Sequence, residues 1–191
     1  MQLTSLLKPD QAFVVRLGQT TFSYAELDGA SARVASLLRG RGVSPGDHVA
    51  VMLGRVAELP SAYYGVLRTG AVVVPIDVGS SAGQVEVYLT SSGARLVLAW
   101  HECLDAAEAG ARDAGVDYIV VHPIGFHALL EEMKPVVDAD ITREPDDIAV
   151  LLYAPTTTGT VHAIEVTHAE LRAQAGENGE IVIPLMEEQR C

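Results

Sequence analysis

LLYAPTTTGTVHAIEVTH, residues 151–168, decides how the chain reads. An apolar strand from Ile148 to Tyr153 runs into a hydroxyl-rich turn, Thr156-Thr157-Thr158-Gly159. A second apolar segment follows, and Thr167-His168 then precedes a helical pattern. Backbone N–H groups, hydroxyls and a glycine in one turn can surround phosphate oxygens. The same residues also make an ordinary threonine-rich turn between two strands.

Upstream, strand and helix signals alternate. Phe13–Leu17 and Thr20–Phe22 flank Gly18-Gln19 as a hairpin, and Ser23-x-x-Glu26 is a capping box opening a helix. Leu27, Ala30, Val34, Leu37 and Leu38 share one face of that helix, which Gly40 or Gly42 ends. Buried strands are expected at 49–53, 71–76, 95–99, 118–121 and 148–153. Between them come a helix bearing Leu59, Tyr63, Val66 and Leu67 and closed by Gly70, and one through Val85 and Leu89 that stops at Gly93. An alanine-rich helix over 104–114 and a short helix over 126–133 complete the series. Apolar strands separated by amphipathic helices predict an α/β fold, a mainly parallel sheet with helices on both faces. Residues 134–147, polar, acidic and proline-bearing, read as a surface loop.

The 191 residues suffice for one well-buried domain. The net charge is −12 and there are two lysines, Lys8 and Lys134, which argues against nucleic acid or an anionic membrane as a partner of a basic surface. Cys103 and Cys191 are too few for a disulfide framework or a cysteine zinc cluster. The first ten residues lack a secretory pattern, and no apolar run is long enough for a membrane span, so a cytoplasmic location is expected.

The run 151–168 resembles the phosphate loop of the adenylate-forming enzymes, which include acyl-CoA synthetases (fatty-acid–CoA ligases) and peptide-synthetase adenylation domains. Their pattern is roughly Y-T-S-G-T-T-G-x-P-K, followed by T-H-x-x-L. Tyr153, Thr157, Thr158, Gly159 and Thr167-His168-x-x-Leu171 match it. TFSYAELDGASARVASLLRGRGV, PGDHVAVMLGRVAELPSAYYGVLRTGAVVVPID and SSGARLVLAW are similar to successive blocks of the same family. The resemblance implies an AMP-binding-like N-terminal subdomain over 1–175 and a short divergent tail over 176–191. It also implies that Thr156, Thr157, Thr158, Gly159 and His162 occupy a nucleotide-binding position.

The loop departs from the pattern where its chemistry lies. Pro155 stands where the family has Ser, Thr156 where it has Gly, Val161 where it has Pro, and His162 where it has Lys. Proline has no N–H to offer. Threonine lacks glycine's access to positive φ, and an imidazole carries little charge at pH 7. With a charge-assisted hydrogen bond worth roughly 1.5–3 kcal/mol and a neutral one about 1, triphosphate binding is weakened about a hundredfold to several thousandfold. The family's acyl pocket, adenine motif, ribose-binding acid and adenylation lysine are expected after Leu171, and the 20 residues from 172 to 191 match none of these. GENGEIVI, 176–183, is similar to a strand motif lying further downstream in the family; a deletion or a chance Gly-Asn-Gly turn each accounts for it.

The expectation is therefore a degenerate relative of acyl-CoA synthetases, unable to adenylate on its own, with no catalytic residue or metal ligand assigned and no cofactor expected. It would serve as a binding or interaction module, or be a remnant. The alternatives are a fatty-acid–CoA ligase-like enzyme that binds ATP and Mg or an acyl-adenylate, completed by a second chain, and a structural homodimer. A homodimer or protein partner would cover apolar surface that the family's downstream part occupies. His101, His122 and His127 lack zinc-ligand spacing and read as surface or capping residues; His168 reads as a helix cap, Asp77 as a turn residue, and Tyr63 and Tyr64 as core.

Overall fold

The computed structural model describes residues 14–17, 20–134, 141–154 and 162–174. A two-stranded antiparallel ribbon, β1 (Val14–Leu17) and β2 (Thr20–Ser23), leads into α1 (Tyr24–Gly40). The capping box is formed as expected. Glu26 N–H donates to Ser23 Oγ at 3.2 Å, and Ser23 N–H donates to Glu26 Oε2 at 2.8 Å. These bonds hold the Glu26 carboxyl below its ordinary range.

Six further strands form one sheet: β3 (His48–Met52), β4 (Val72–Pro75), β5 (Ala94–Trp100), β6 (Asp117–Val121), β7 (Ile148–Ala154) and β8 (His162–Thr167). Their spatial order is β6-β5-β3-β4-β7-β8, parallel throughout except for the β7–β8 pair. The helices are α2 (Leu59–Arg68), α3 (Ala82–Ser92), α4 (Leu104–Ala114), α5 (Pro123–Glu132) and α6 (His168–Gln174). Each strand divides its side chains between two cores, as period-two geometry requires. Val49, Val51, Val73, Leu96 and Leu98 join α1, α2, α5 and α6 on one face. Ala50, Met52, Val74, Val97 and Ala99 join α3 and α4 on the other. The expected α/β architecture is therefore present, with no strand end moved by more than one residue.

Three local readings are revised. α5 begins at Pro123, not Phe126, because His122 caps it and proline is preorganised for the first helical position. All ten residues of α2 are buried, not one face of it. This follows from the close approach of α1: a Cβ on Gly65 would lie 2.4 Å from Val34 Cγ1, so only glycine fits there. In consequence Ser31 is fully buried while Ala30, expected on the buried face, is half-exposed. Arg68, on the last turn of α2, is buried and pairs with Asp28 of α1, donating also to the Asp28 carbonyl at 2.6 Å. Finally, the described part of the 134–147 loop is docked, since Ile141 N–H donates to Arg68 O at 3.3 Å. Residues 135–140 and the tail from 175 onward lie outside the described residues.

Tyr63 is wholly buried, and its hydroxyl has no hydrogen-bond partner among the described residues. A buried, unpaired hydroxyl costs about 1–3 kcal/mol. Tyr63→Phe is expected to stabilise the protein by about 1 kcal/mol. Gly65→Ala is expected to destabilise it by about 1–3 kcal/mol through overpacking against Val34. Urea midpoints of the two variants, moving in opposite directions from the parent, check both.

Candidate functional site

The site region is the β7–β8 hairpin. Leu152 opposes Ile164, Tyr153 opposes Ala163, and Ala154 opposes His162. Residues 155–161 therefore join the two strands at the carboxyl end of the parallel sheet, the end at which open α/β sheets bind ligands. Pro155, Thr156, Thr157, Thr158, Gly159 and Val161 lie outside the described residues. His162 is described: it is the first residue of β8 and is exposed. Tyr153 is buried and stacks on Tyr88 of α3, with ring centroids 5.2 Å apart. Burial raises its phenol pKa, and the neighbouring Ser92 side chain offsets part of that rise. It thus fixes the strand entering the loop.

At the opposite end, the hairpin is tied down by a short network. Thr167, not His168, caps α6. Glu170 N–H donates to Thr167 Oγ1 at 3.2 Å, and Thr167 N–H donates to Glu170 Oε2 at 2.8 Å. His168 takes the first helical position and is buried, because the reciprocal Thr–Glu box already satisfies the helix start. Its N–H donates to Asp147 O at 2.9 Å, and Ala169 N–H donates to Pro145 O at 2.9 Å. Arg143 pairs with the Asp147 carboxylate at 3.0 Å. The His168 ring nitrogens have no hydrogen-bond partners among the described residues. Burial first, then the Arg143 and Arg172 guanidiniums, lowers its pKa to about 4.

The other candidates gather at the carboxyl ends of β3 to β6. Asp77 makes a turn, accepting the Gly79 N–H at 2.7 Å. The Cys103 thiol donates to Trp100 O at 3.2 Å, and its pKa is raised by burial, so it is a poor nucleophile. His122 Nδ1 accepts the Ile124 N–H at 3.3 Å as the α5 cap. His127 Nε2 lies 3.9 Å from the buried Glu58 carboxylate. The His101 ring lies between Trp100 and His122 in tilted contacts, with centroids at 4.6 and 4.5 Å and planes inclined by 52° in both pairs. This row escaped sequence reading because His101 and His122 are far apart in the chain and meet only through the β5–β6 register, Trp100 opposite Val121. Among the described residues, no group of three or more His, Cys, Asp or Glu could hold a metal, and no helix is long and apolar enough to cross a membrane.

Residues 4–186 match the sequence pattern of the family described as AMP-binding enzyme. The chain is 27% identical over 167 residues to the long-chain-fatty-acid–CoA ligase FadD13 of Mycobacterium tuberculosis, covering 86% of this chain and 33% of that protein. It is 30% identical over 151 residues to surfactin synthase subunit 1 of Bacillus subtilis, 79% of this chain and 4% of that one. Among solved structures, apo MatB from Rhodopseudomonas palustris superposes with a TM-score of 0.79 at 25% identity, over 92% of this chain and 36% of that one. The chain belongs to the AMP-binding enzyme family, and spans about a third of the length of the ligases it matches.

Stability should record the His168 environment. Because the folded pKa lies below the ordinary 6.5, this contribution is complete above pH 6.5 and is lost as the pH falls towards 4. At about 1.36 kcal/mol per pH unit, the full loss is at most about 3 kcal/mol. Urea unfolding of the parent between pH 7 and pH 4 is expected to show that slope, and His168→Met to flatten it.

Proposed function

We propose that this member of the AMP-binding enzyme family carries a phosphate-loop hairpin with weakened nucleotide affinity, and that the 191 residues on their own do not adenylate an acid. It would act as a binding or interaction module in the cytoplasm, its partner covering the surface around the hairpin. The observation supporting this is the charge at the loop's end. The family pattern has a lysine where this chain has His162, an exposed imidazole opening β8. Among the described residues, Lys134 is the only lysine, and it follows the end of α5, outside the family's loop motif. Pro155 and Thr156 remove a further backbone donor and glycine's freedom from the same loop. Adenylyl transfer depends on several parts acting together on one charge distribution.

A second reading is a ligase-like protein that retains ATP or acyl-adenylate binding and is completed by another chain. The matched positions Tyr153, Thr157, Thr158, Gly159 and Thr167-His168 favour it, as does the likeness to FadD13. The two readings part on nucleotide binding. Millimolar MgATP is expected to leave the melting temperature unchanged. Ligand at 100 times its Kd would stabilise by about 2.7 kcal/mol, a shift of several degrees, and such a shift would favour the ligase reading.

Loop repair tests the same point from the other side. The combined variant Pro155→Ser, Thr156→Gly, Val161→Pro and His162→Lys is expected to regain weak phosphate binding in titration calorimetry. Pyrophosphate exchange with a fatty-acid panel is expected to stay at background in that variant. Exchange above background, in the variant or the parent, would overturn the non-adenylating reading.

A further inference from the structure

We propose that β8 is a docking edge, whose outer side takes up an extended segment of another polypeptide as a further strand, one alternating basic and apolar residues. This rests on the reading of the chain as an interaction module and names the partner's chemistry. β8 ends the sheet, and among the described residues it pairs with β7 alone. Its register is regular over five successive pairs, from Val150–Val166 to Ala154–His162, and the irregularity is confined to the Ile148–Val150 end. No proline, glycine, lysine or arginine lies within His162–Thr167. Edge strands present a row of unpaired N–H and C=O groups, which proline, lysine or a bulge ordinarily blunts. The other edge of the sheet is covered. On β6, Ile119 and Val121 are buried, and the Tyr118 hydroxyl donates to Glu108 of α4 at 3.0 Å. On β8, His162, Ala163, Ile164 and Glu165 are all exposed, so neither helical layer covers that stretch.

The two faces of β8 set the partner's pattern. Ile164 stands opposite Leu152, on the face of the first core, and is 52% exposed. Glu165 stands opposite Leu151, on the other face. Side chains alternate along a strand, and those of a neighbouring strand stand beside them on the same face. A strand added outside β8 therefore sets one residue beside Ile164 and the next beside Glu165. An apolar side chain at the first position removes the Ile164 surface from water. A lysine or arginine at the second meets the Glu165 carboxylate. Glu165 is the only Asp, Glu, Lys or Arg on β8, Glu170 adds a second carboxylate at its end, and the net charge of the chain is −12. That field favours a cationic segment. Arg143 and Arg172 act on His168, beyond the buried Val166, and so bound the site at that end. A second copy of the chain would bring the same carboxylates and the same net charge, and is the poorer fit.

The test titrates the full chain with a capped peptide alternating lysine and valine, and follows backbone amides by NMR. Saturable shifts are expected at β8 and not at β6, with exchange protection of β8 amides rising about fivefold or more as they gain strand partners. Glu165→Lys is expected to weaken the affinity about fivefold or more, and Glu165→Gln by less. Both variants change an exposed position, and unchanged protection of the β3 amides verifies that they fold. The same peptide N-methylated at every second amide keeps its charge but loses ladder donors, and should not bind. Nor should a peptide alternating glutamate and valine. The proposal is overturned by the absence of saturable shifts at β8, by undiminished affinity in Glu165→Lys, or by equal binding of the N-methylated peptide. It is also overturned if β8 amides are already protected in the free chain, through a segment of the same chain when protection is independent of concentration, or through a second copy when it rises with concentration. The MgATP melting experiment reads the underlying proposal separately: a nucleotide-induced shift counts against the interaction module, whereas a null peptide titration counts against this edge alone.

Discussion

A crossover between parallel strands is right-handed, and that one constraint arranges this molecule. A right-handed connection puts its helix on one face when the chain moves one way along the sheet, and on the other face when it moves back. β3 to β4 is a step in one direction, and α2 lies on the first face. β4 to β5 and β5 to β6 run the other way, and α3 and α4 lie on the second. β6 to β7 reverses again, and α5 returns to the first. Two reversals in a six-stranded sheet thus give two cores. Strands β3, β4 and β5 are buried on both sides, so they read as continuous apolar runs rather than as alternating ones.

The same reversals open the carboxyl end of the sheet. At β3 the exit helix lies on one face, and at the adjacent β5 it lies on the other. The connections that follow these strands therefore part to opposite faces at that end of the sheet. Asp77, His101, Cys103, His122 and Glu58 reach this rim from four different connections, and most are committed to structural bonds within it. The β7–β8 connection is at the same end but further along the sheet, beyond β4, on a hairpin and not on a strand-to-helix turn.

That hairpin depends on its two attachments. Tyr153 locks its inner strand against α3, and the Thr167–Glu170 box with the Asp147 and Pro145 carbonyls closes its open end. Leu152 and Ile164, opposite each other, leave Ile164 half-exposed beside the loop. The hairpin is thus well positioned by its base. A fold shared with a family carries the architecture and does not by itself carry the activity.

Much of the fold was legible in the sequence because it rests on local rules. Apolar runs bounded by glycine marked the buried strands, and Gly93, at φ 63, ends α3 where the pattern stopped. The Ser23–Glu26 box and the α4 limits, Leu104–Ala114, followed from capping and periodicity. The reading of Pro155 and Thr156 as altered loop positions falls outside the described residues, and His162 is seen only as the exposed start of β8. What the sequence could not decide was which residues meet across the chain. The burial of all of α2, the Arg68–Asp28 pair, the solvent-free ring of His168 and the Trp100–His101–His122 row all arise from register and close packing between distant segments. A linear pattern carries periodicity and composition; it does not carry the distance between Gly65 and Val34, and that distance is what draws α1 onto α2.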